Sequence, residues 1–437
     1  MAETILGGLF MVVGLAAWWG IARRTGDWLH PLGILLLFWF VVFGYAHWNV
    51  ATTYDEPYYA LPFELETYVV VMGSAAVFAF GYWLIDPEMP MADREGLAAR
   101  LRASAQVGPL RVLTLVLFAL ASATTVYFVM RLGEIPLFSP RVDEIRQVWK
   151  QPLIGYIYDL HYIVALFGAI LADRARTPRE RIFWALLVIA SITQLAFGAV
   201  RLSPLTGVVW GAVYIFYRGA GRVQLRHLAL LAVVIFGLSS MIEYYRRAPI
   251  RLNPTIANPR LDLGLAATVW GHTGASFKNL QLSLDKHVPF LAMGATSFDI
   301  AKTLDPGLRR RDEDISWRYG VHNTTTYLLP LYMDFGVLGL FVMPGVYGAI
   351  TAFVYRRFRE RPGIFWLVVY IDFLLAVALA FRTHKFFGNT LIFFGAVALL
   401  ADRFAGRASP DEAWQDAEGS DPEPGTHQWL PEGAHPA

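Results

Sequence analysis

The chain has 437 residues, of which 56% are hydrophobic and 16% are charged. A soluble globular protein carries about 25% charged residues, so this composition excludes an ordinary soluble domain. The net charge of +2 gives no support to a nucleic-acid partner, because such proteins concentrate basic residues in a folded soluble domain. Cysteine is absent, which excludes disulfides, thiol nucleophiles and thiolate metal sites.

The apolar residues fall in blocks of about 20, the length at which a helix crosses the hydrocarbon core of a bilayer. We therefore predict an all-α integral membrane protein with about eleven transmembrane helices, in one polytopic domain over residues 1–402. The first block lacks the basic region of a cleaved signal peptide, so it is predicted to be retained. The predicted spans are 4–21, 31–50, 66–85, 110–130, 154–171, 182–200, 202–217, 227–243, 334–354, 363–380 and 386–401.

Arginines mark alternate loops, and the positive-inside rule predicts that those loops face the cytoplasm. The N-terminus then lies outside, and the C-terminus is cytoplasmic with an acidic, Pro- and Gly-rich tail over 403–437 that is predicted to be disordered. The outer segments include a long loop over about 244–333, with helical segments, and a short turn over 381–385. The arginines of the alternate loops are Arg23, Arg24, Arg94, Arg100, Arg102, Arg174, Arg176, Arg179, Arg181, Arg218, Arg222, Arg226, Arg356, Arg357, Arg359 and Arg361.

Other arginines recur at the predicted outer ends of the spans. A lone arginine at membrane depth, such as Arg201 between two apolar helices, is costly and needs a partner. Guanidinium groups bind phosphate oxygens bidentately and keep their charge, which favours a diphosphate site. For Arg201 the alternative is that its side chain reaches the head-group level. The predicted diphosphate-binding residues are Arg201, Arg246, Arg247 and Arg382, with Arg251 and Lys385 as further substrate contacts.

A second feature closes the long loop, where Val321-His322-Asn323-Thr324-Thr325-Thr326 precedes Asp334-Phe335-Gly336-Val337-Leu338-Gly339. Histidine is the natural general base near neutral pH, so we interpret His322 as the candidate base and Asn323 as a substrate contact. The alternative is a helix-capping cluster with an incidental histidine. The two glycines are predicted to permit close helix packing.

Acidic residues give weaker indications. Asp55 and Glu56, in an early outer loop, could hold a divalent metal or act as a base, and the alternative that we favour is a solvated loop. Glu243 lies one turn before Arg247 and is interpreted either as a catalytic residue that orients an arginine or as half of an internal ion pair. Polar residues inside predicted spans are functional candidates by default, and here they are Asp159, His161 and Asp372.

Four stretches resemble one family. Gly133-Glu134-Ile135-Pro136-Leu137-Phe138-Ser139, followed by Arg141 or Arg146, is similar to a Gly-x-Ile-Pro-Leu segment, and Gly198-Ala199-Val200-Arg201 is similar to a Gly-x-Arg turn. Arg246 and Arg247 open a large outer loop, and the fourth stretch, His322-Asn323-Thr324 followed by Asp334-Phe335-Gly336-Val337-Leu338-Gly339, closes it. In this order the chain resembles, over about 110–400, the bacterial oligosaccharide repeat-unit polymerases (Wzy-like O-antigen or exopolysaccharide polymerases) and, more distantly, the O-antigen ligases.

The resemblance implies a polytopic, GT-C-like glycosyltransferase of the bacterial cytoplasmic membrane whose active site faces outward. Its substrate would be an undecaprenyl-diphosphate-linked oligosaccharide, whose growing glycan is transferred from the lipid diphosphate to a sugar hydroxyl of the next unit. No metal, nucleotide sugar or other cofactor would be needed, and Arg141 or Arg146 would contact substrate. Further partners would be membrane lipid, a chain-length regulator and a flippase.

Three alternatives stay open at this point. An O-antigen ligase would use nearly the same site and chemistry. A metal-dependent glycosyltransferase that takes polyprenyl-phosphate sugars would use Asp55 and Glu56. A lipid-glycan flippase or other transporter would show two related halves and broken helices, and the sequence shows no such symmetry. An ATP-driven pump is disfavoured, because the chain has neither a Walker sequence nor a glycine-rich dinucleotide turn.

Overall fold

The computed structural model describes residues 2–48, 61–104, 106–139, 154–200, 202–219, 273–285, 326–386 and 388–405, together with single residues between them at 141, 144, 145, 149, 296, 297, 305 and 307. This part of the chain is helical and contains no strand, which confirms the all-α prediction. The long apolar helices are those of a multi-pass membrane protein.

Eight helices precede the long loop in the described part of the chain. They are α1 (Ala2–Thr25), α2 (Pro31–Ala46), α3 (Leu65–Ile85), α4 (Arg94–Arg102), α5 (Val107–Leu132), α6 (Ile154–Asp173), α7 (Pro178–Phe197) and α8 (Leu202–Arg218). A 3-10 turn, Pro136–Phe138, lies between α5 and α6. The later helices are α9 (Gly274–Asp285), α10 (Leu328–Phe341), α11 (Met343–Glu360), α12 (Ile364–Ala378) and α13 (Asn389–Ala405).

Nine of the eleven predicted spans each coincide with one helix, the span 334–354 extends over two helices, and the span 227–243 lies outside the described residues. By length and composition, five helices of the described part can cross a membrane, namely α1, α3, α5, α6 and α7. A sixth span results if α10 and α11 are counted together, and α2 and α12 are shorter apolar helices. The count of eleven and the orientation in the membrane therefore stay predictions.

The ninth predicted span, 334–354, is not one continuous helix. The chain bends there by 79° between α10 and α11. Gly336 adopts a left-handed conformation, with φ of 61°, which a residue without a side chain accepts readily. Pro344 then stands in the first turn of α11, where its missing N–H costs nothing. Gly336 thus interrupts α10 itself and does not serve the helix packing predicted for it, since a Cβ atom added there would meet no neighbour within 4 Å.

The basic loops meet at one end of the bundle, which we call the basic end. There the Arg24 side chain donates to the carbonyl of Glu88, and Arg174 donates to that of Leu101. Two longer-range contacts complete the cluster, from Arg100 to the carbonyl of Arg359 and from Arg102 to the carbonyl of Arg218. The arginines of separate loops thus act on each other's backbone, as expected for loops on one side of a membrane.

Helix α6 is the centre of the bundle. Of its apolar window, 78% is buried inside the protein, against 17% for α1. Apolar side chains on the outer helices α1, α3, α5 and α7 are correspondingly exposed, as they are when the surrounding solvent is hydrocarbon. The first turn of α6 lies at the end opposite the basic loops and touches both sides of the candidate site described below.

Candidate functional site

Two of the four family-like stretches touch each other at the end of the bundle opposite the basic loops. Gly133 ends α5 in a left-handed conformation, with φ of 73°, and turns the chain into the short 3-10 turn. Leu137 of this turn is buried against Ala196 and Ala199, at the end of α7. The proline-containing segment therefore packs on the residues that directly precede Arg201.

The backbone that leads to Arg201 is held by aromatic side chains. The Tyr158 hydroxyl donates to the carbonyl of Gln194 at 2.6 Å, at the end of α7. Trp149 lies so close to Gly198 that a Cβ atom added there would be 3.3 Å from its indole. Ala199 is fully buried with φ of 54°, a conformation that costs an L-residue about 1–2 kcal/mol. Such a turn persists only because its surroundings determine it.

Arg141 lies in the same segment and is exposed. Its guanidinium donates to Glu134 at 2.7 Å, and its backbone N–H donates to the Ser139 hydroxyl at 3.0 Å. Hydrogen bonds from Ser139 and Arg141 hold the pKa of the Glu134 carboxyl below its usual range. Arg141 is thus engaged in a local ion pair, and a substrate anion would have to replace Glu134 to bind it.

The turn between α12 and α13 carries the two other described cations of the predicted site. The Arg382 backbone N–H donates to the carbonyl of Leu379 at 2.8 Å, which extends the end of α12. Its side chain is half-buried, and this burial lowers the pKa of the guanidinium, which keeps its charge. Lys385 is exposed three residues later.

His384, between these cations, escaped the sequence analysis. Its Nε2 atom lies 2.8 Å from the Tyr347 hydroxyl of α11, and it is half-buried. The available signal was a histidine between an arginine and a lysine in a short turn. Without knowledge of Tyr347 as its partner, nothing distinguished this imidazole from an incidental surface residue.

The start of α10 is joined to the same turn. The Tyr327 backbone N–H donates to the carbonyl of Ala380 at 2.8 Å, two residues before Arg382. His322 and Asn323 lie a few residues upstream in the chain, outside the part that the structure describes. The chain that carries these two candidates therefore enters α10 beside the Arg382 turn.

The first turn of α6 connects the two groups of contacts. The Asn389 side-chain amide, at the start of α13, donates to the Tyr156 hydroxyl at 2.8 Å. Tyr158, two residues later, reaches the end of α7 as described above. The Arg382 turn and the turn before Arg201 thus lie at the same end of the bundle, on either side of α6.

Asp334 fixes a piece of the long loop to this region. It is fully buried and accepts the backbone N–H groups of Thr296 at 2.9 Å and Ser297 at 2.6 Å. The Thr296 hydroxyl also donates to the carbonyl of Pro330 at 2.8 Å. Asp334 belongs to the fourth family-like stretch, and its role in the structure is to anchor the loop to α10.

The polar residues predicted inside spans occupy separate places. His161 is buried in α6, with its Nε2 atom 3.3 Å from the Thr125 hydroxyl of α5. Asp159 is buried two residues earlier and acts electrostatically on Tyr162. Asp372, on α12, is under the electrostatic influence of Lys385. The described contacts give His161 and Asp159 a role within the bundle and Asp372 a link to the candidate turn.

The remaining residues of the predicted site lie outside the described residues, so their predicted roles stay predictions. They are Arg146, Arg201, Glu243, Arg246, Arg247, Arg251, His322 and Asn323, and the alternative metal-binding pair Asp55 and Glu56. No protein-family model, curated protein or solved structure matches the chain.

Proposed function

We propose that the chain polymerises lipid-diphosphate-linked oligosaccharide units at the outer face of a bacterial cytoplasmic membrane. The observation that carries the proposal is the convergence of chain segments at one end of the bundle. The Pro136 segment, the turn before Arg201, the entry to α10 and the Arg382 turn all lie there, opposite the basic loops. The clustering of the basic loops at the other end supports a cytoplasmic location for that end.

The chemistry requires positive charge around a diphosphate leaving group. As the bond from the anomeric carbon to the diphosphate breaks, negative charge develops on phosphate oxygens, and fixed cations stabilise it. Arg382 is suited to this role, because a half-buried guanidinium is less screened by water than an exposed one. Arg201, Arg246 and Arg247 would supply further charge, with Lys385 and Arg251 at the periphery.

The acceptor hydroxyl needs a base, and two histidines are available to this end of the molecule. His322 is the base that the sequence indicates. His384 is a second candidate, because Tyr347 fixes its imidazole within the turn that carries Arg382. A base and a phosphate-binding cation two residues apart would bring the acceptor hydroxyl and the leaving group together, and such positioning lowers the barrier further.

The test is an assay of glycan lengthening by the purified full-length chain with a lipid-diphosphate-linked repeat unit from its host, without nucleotide sugar. Arg382→Ala and Arg382→Lys are compared with Arg356→Ala, at the basic end, which removes an exposed ion pair with Glu360. We expect a ladder of products from the wild type and the control. Arg382→Ala should lose it, and Arg382→Lys should retain part, since lysine keeps the charge without the bidentate geometry. A ladder of unchanged rate in Arg382→Ala would remove Arg382 from the site.

The bend between α10 and α11 favours one alternative to an enzyme, namely a transporter. Discontinuous helices of this kind are typical of transporters, whose substrates bind where a helix breaks. A lipid-glycan flippase would move the substrate across vesicle membranes without lengthening it. Transport without a ladder would replace the polymerase proposal, whereas transfer of a finished glycan to a different acceptor would indicate a ligase.

A further inference from the structure

A buried carboxyl group lies at the basic end, far along the bundle from the candidate site. Asp27, in the linker between α1 and α2, is 2% exposed. Its Oδ2 atom lies 2.8 Å from the Tyr217 hydroxyl of α8 and 2.5 Å from the Tyr355 hydroxyl of α11. Its Oδ1 atom accepts the backbone N–H of Leu29 at 2.9 Å. The carboxyl thus joins the linker to two helix ends.

A third tyrosine extends this network. The Tyr370 hydroxyl, on α12, lies 2.7 Å from that of Tyr217 and 2.8 Å from the carbonyl oxygen of Leu29. Four oxygen–oxygen contacts of hydrogen-bond length therefore connect the carboxyl, three phenols and one carbonyl. Each contact needs one hydrogen, because two oxygens at such distances repel each other unless a hydrogen lies between them.

If Asp27 is ionised, the network has fewer hydrogens than it has hydrogen-bond contacts. A carboxylate and a carbonyl only accept hydrogen bonds, so the three phenols must supply all hydrogens, which is one fewer than the contacts require. A protonated carboxyl supplies the fourth. One arrangement then satisfies every contact: Asp27 donates to Tyr217, Tyr217 to Tyr370 and Tyr370 to the Leu29 carbonyl, while Tyr355 donates to Asp27.

The charged side chains near Asp27 either pair with other groups or act on it only electrostatically. Arg359, on α11, donates to Asp86 at the end of α3, with an Nη2–Oδ2 distance of 2.6 Å. Its guanidinium carbon is 4.6 Å from the centre of the Tyr355 ring. Arg94, on α4, acts on Asp27 electrostatically and favours the ionised form. The buried Asp27 carboxyl is therefore not a member of the ion pairs described for the basic end.

The remaining titratable groups that face the cluster are neutral. His30, at the start of α2, has its Nε2 atom 3.3 Å from the Tyr82 hydroxyl of α3, and both side chains are buried. Burial lowers the pKa of His30 to about 3, so this imidazole adds no positive charge at neutral pH. Burial also raises the pKa of Asp27, although its hydrogen bonds and Arg94 oppose the shift.

We infer that Asp27 is a proton-binding site, occupied at neutral pH, whose proton completes a hydrogen-bond chain that fastens the α1–α2 linker to α8, α11 and α12. The ligand is a single proton from the water at the basic end. On its release the carboxylate would be left buried, and one of the four contacts would lose its hydrogen. The linker is therefore held fully only while the proton is bound. This inference is independent of the proposed function.

The test is isotope-edited infrared spectroscopy of the full-length protein with carboxyl-labelled aspartate, at neutral pH. The difference between wild type and Asp27→Asn should contain the carbonyl band of a protonated carboxyl, lost in the variant. The matched control is Asp173→Asn, because Asp173 lies at the same end and accepts from Tyr214 but pairs with Arg218 at 2.7 Å. That difference should contain only the bands of an ionised carboxylate.

Bands of an ionised carboxylate in the Asp27→Asn difference would overturn the inference. A second variant keeps the test decisive if Asp27→Asn does not fold. Tyr217→Phe leaves Asp27 in place and removes the hydroxyl that accepts the hydrogen bond from the protonated carboxyl. The protonated-carboxyl band should then shift, whereas a shift confined to carboxylate bands would show that Asp27 is ionised.

Discussion

The Tyr347 hydroxyl lies 2.8 Å from Nε2 of His384, and the Tyr347 ring stacks on Phe386 with its centre 4.6 Å away. The phenol therefore connects a fully buried, well-packed part of α11 to the turn of Arg382 and Lys385. The contact with Tyr347 selects one orientation of the imidazole, and this is the property that a base near a bound sugar requires.

Tyr347→Phe removes this hydrogen bond and keeps the ring. If His384 takes part in the proposed transfer, we expect the rate of glycan lengthening to fall about tenfold, as a lost hydrogen bond of ~1.4 kcal/mol predicts. Tyr214→Phe is the matched control, since it removes a similar bond to Asp173 at the basic end. Equal rates in the two variants would exclude a role for the orientation of His384.

Asp334→Asn should be strongly destabilising. The buried carboxylate accepts two backbone N–H groups, and an amide can accept only one of them while its own NH2 group opposes the other. We expect a loss of about 2–3 kcal/mol in the free energy of unfolding, measured by thermal denaturation in detergent. Thr296→Val, which removes a single hydroxyl bond to Pro330, should cost about 1 kcal/mol. Equal costs would contradict the anchoring role of Asp334.

The positions of most helices could be predicted from the sequence, because apolar blocks of membrane length determine helices by a local rule. The interruption of α10 at Gly336 could not be predicted, since the apolar block continues through it and a single glycine is tolerated in membrane helices. The Asp27 network could not be predicted from the sequence either. Its three tyrosines come from α8, α11 and α12, and in each sequence block they resemble ordinary interfacial aromatics.

The candidate site divides in the same way. The arginines could be found because a charge beside an apolar block is conspicuous, whereas His384 depends on a partner 37 residues away in the chain. The packing of Leu137 on Ala199 was not predicted, because a contact between two turns has no periodic signature in the sequence.

Gly7 and Gly8 provide a matched pair of variants in α1. A Cβ atom added at Gly7 would lie 2.5 Å from the carbonyl oxygen of Gly44, so α1 and α2 would have to move apart. One added at Gly8 would meet nothing within 4 Å. We expect Gly7→Ala to cost about 1–3 kcal/mol of stability by overpacking and Gly8→Ala to be neutral or slightly stabilising, because alanine favours a helix. Thermal unfolding measures both, and similar melting temperatures would contradict the close contact.

Because Lys278, on α9, is buried, we predict that the stability of the protein depends on pH in the alkaline range. Lys278 is 3% exposed, and its ammonium group donates to the carbonyl of Leu61 and lies 3.7 Å from the centre of the Phe63 ring. Burial lowers its pKa from 10.5 to about 8, although the charges of Glu3 and Asp285 oppose the shift.

The sign follows from proton binding. Between pH 8 and 10.5 the unfolded chain holds a proton on Lys278 that the folded chain has released, so the free energy of unfolding rises with pH in this window. Below pH 8 both states are protonated, and the full cost of burying the charge remains. Lys278→Met lacks this titration. We therefore compare the melting temperatures of this variant and the wild type from pH 7 to about 10.5. The melting temperature of the wild type should rise relative to that of the variant as the pH rises. Two curves that stay parallel across the window would mean that Lys278 titrates as an ordinary exposed lysine.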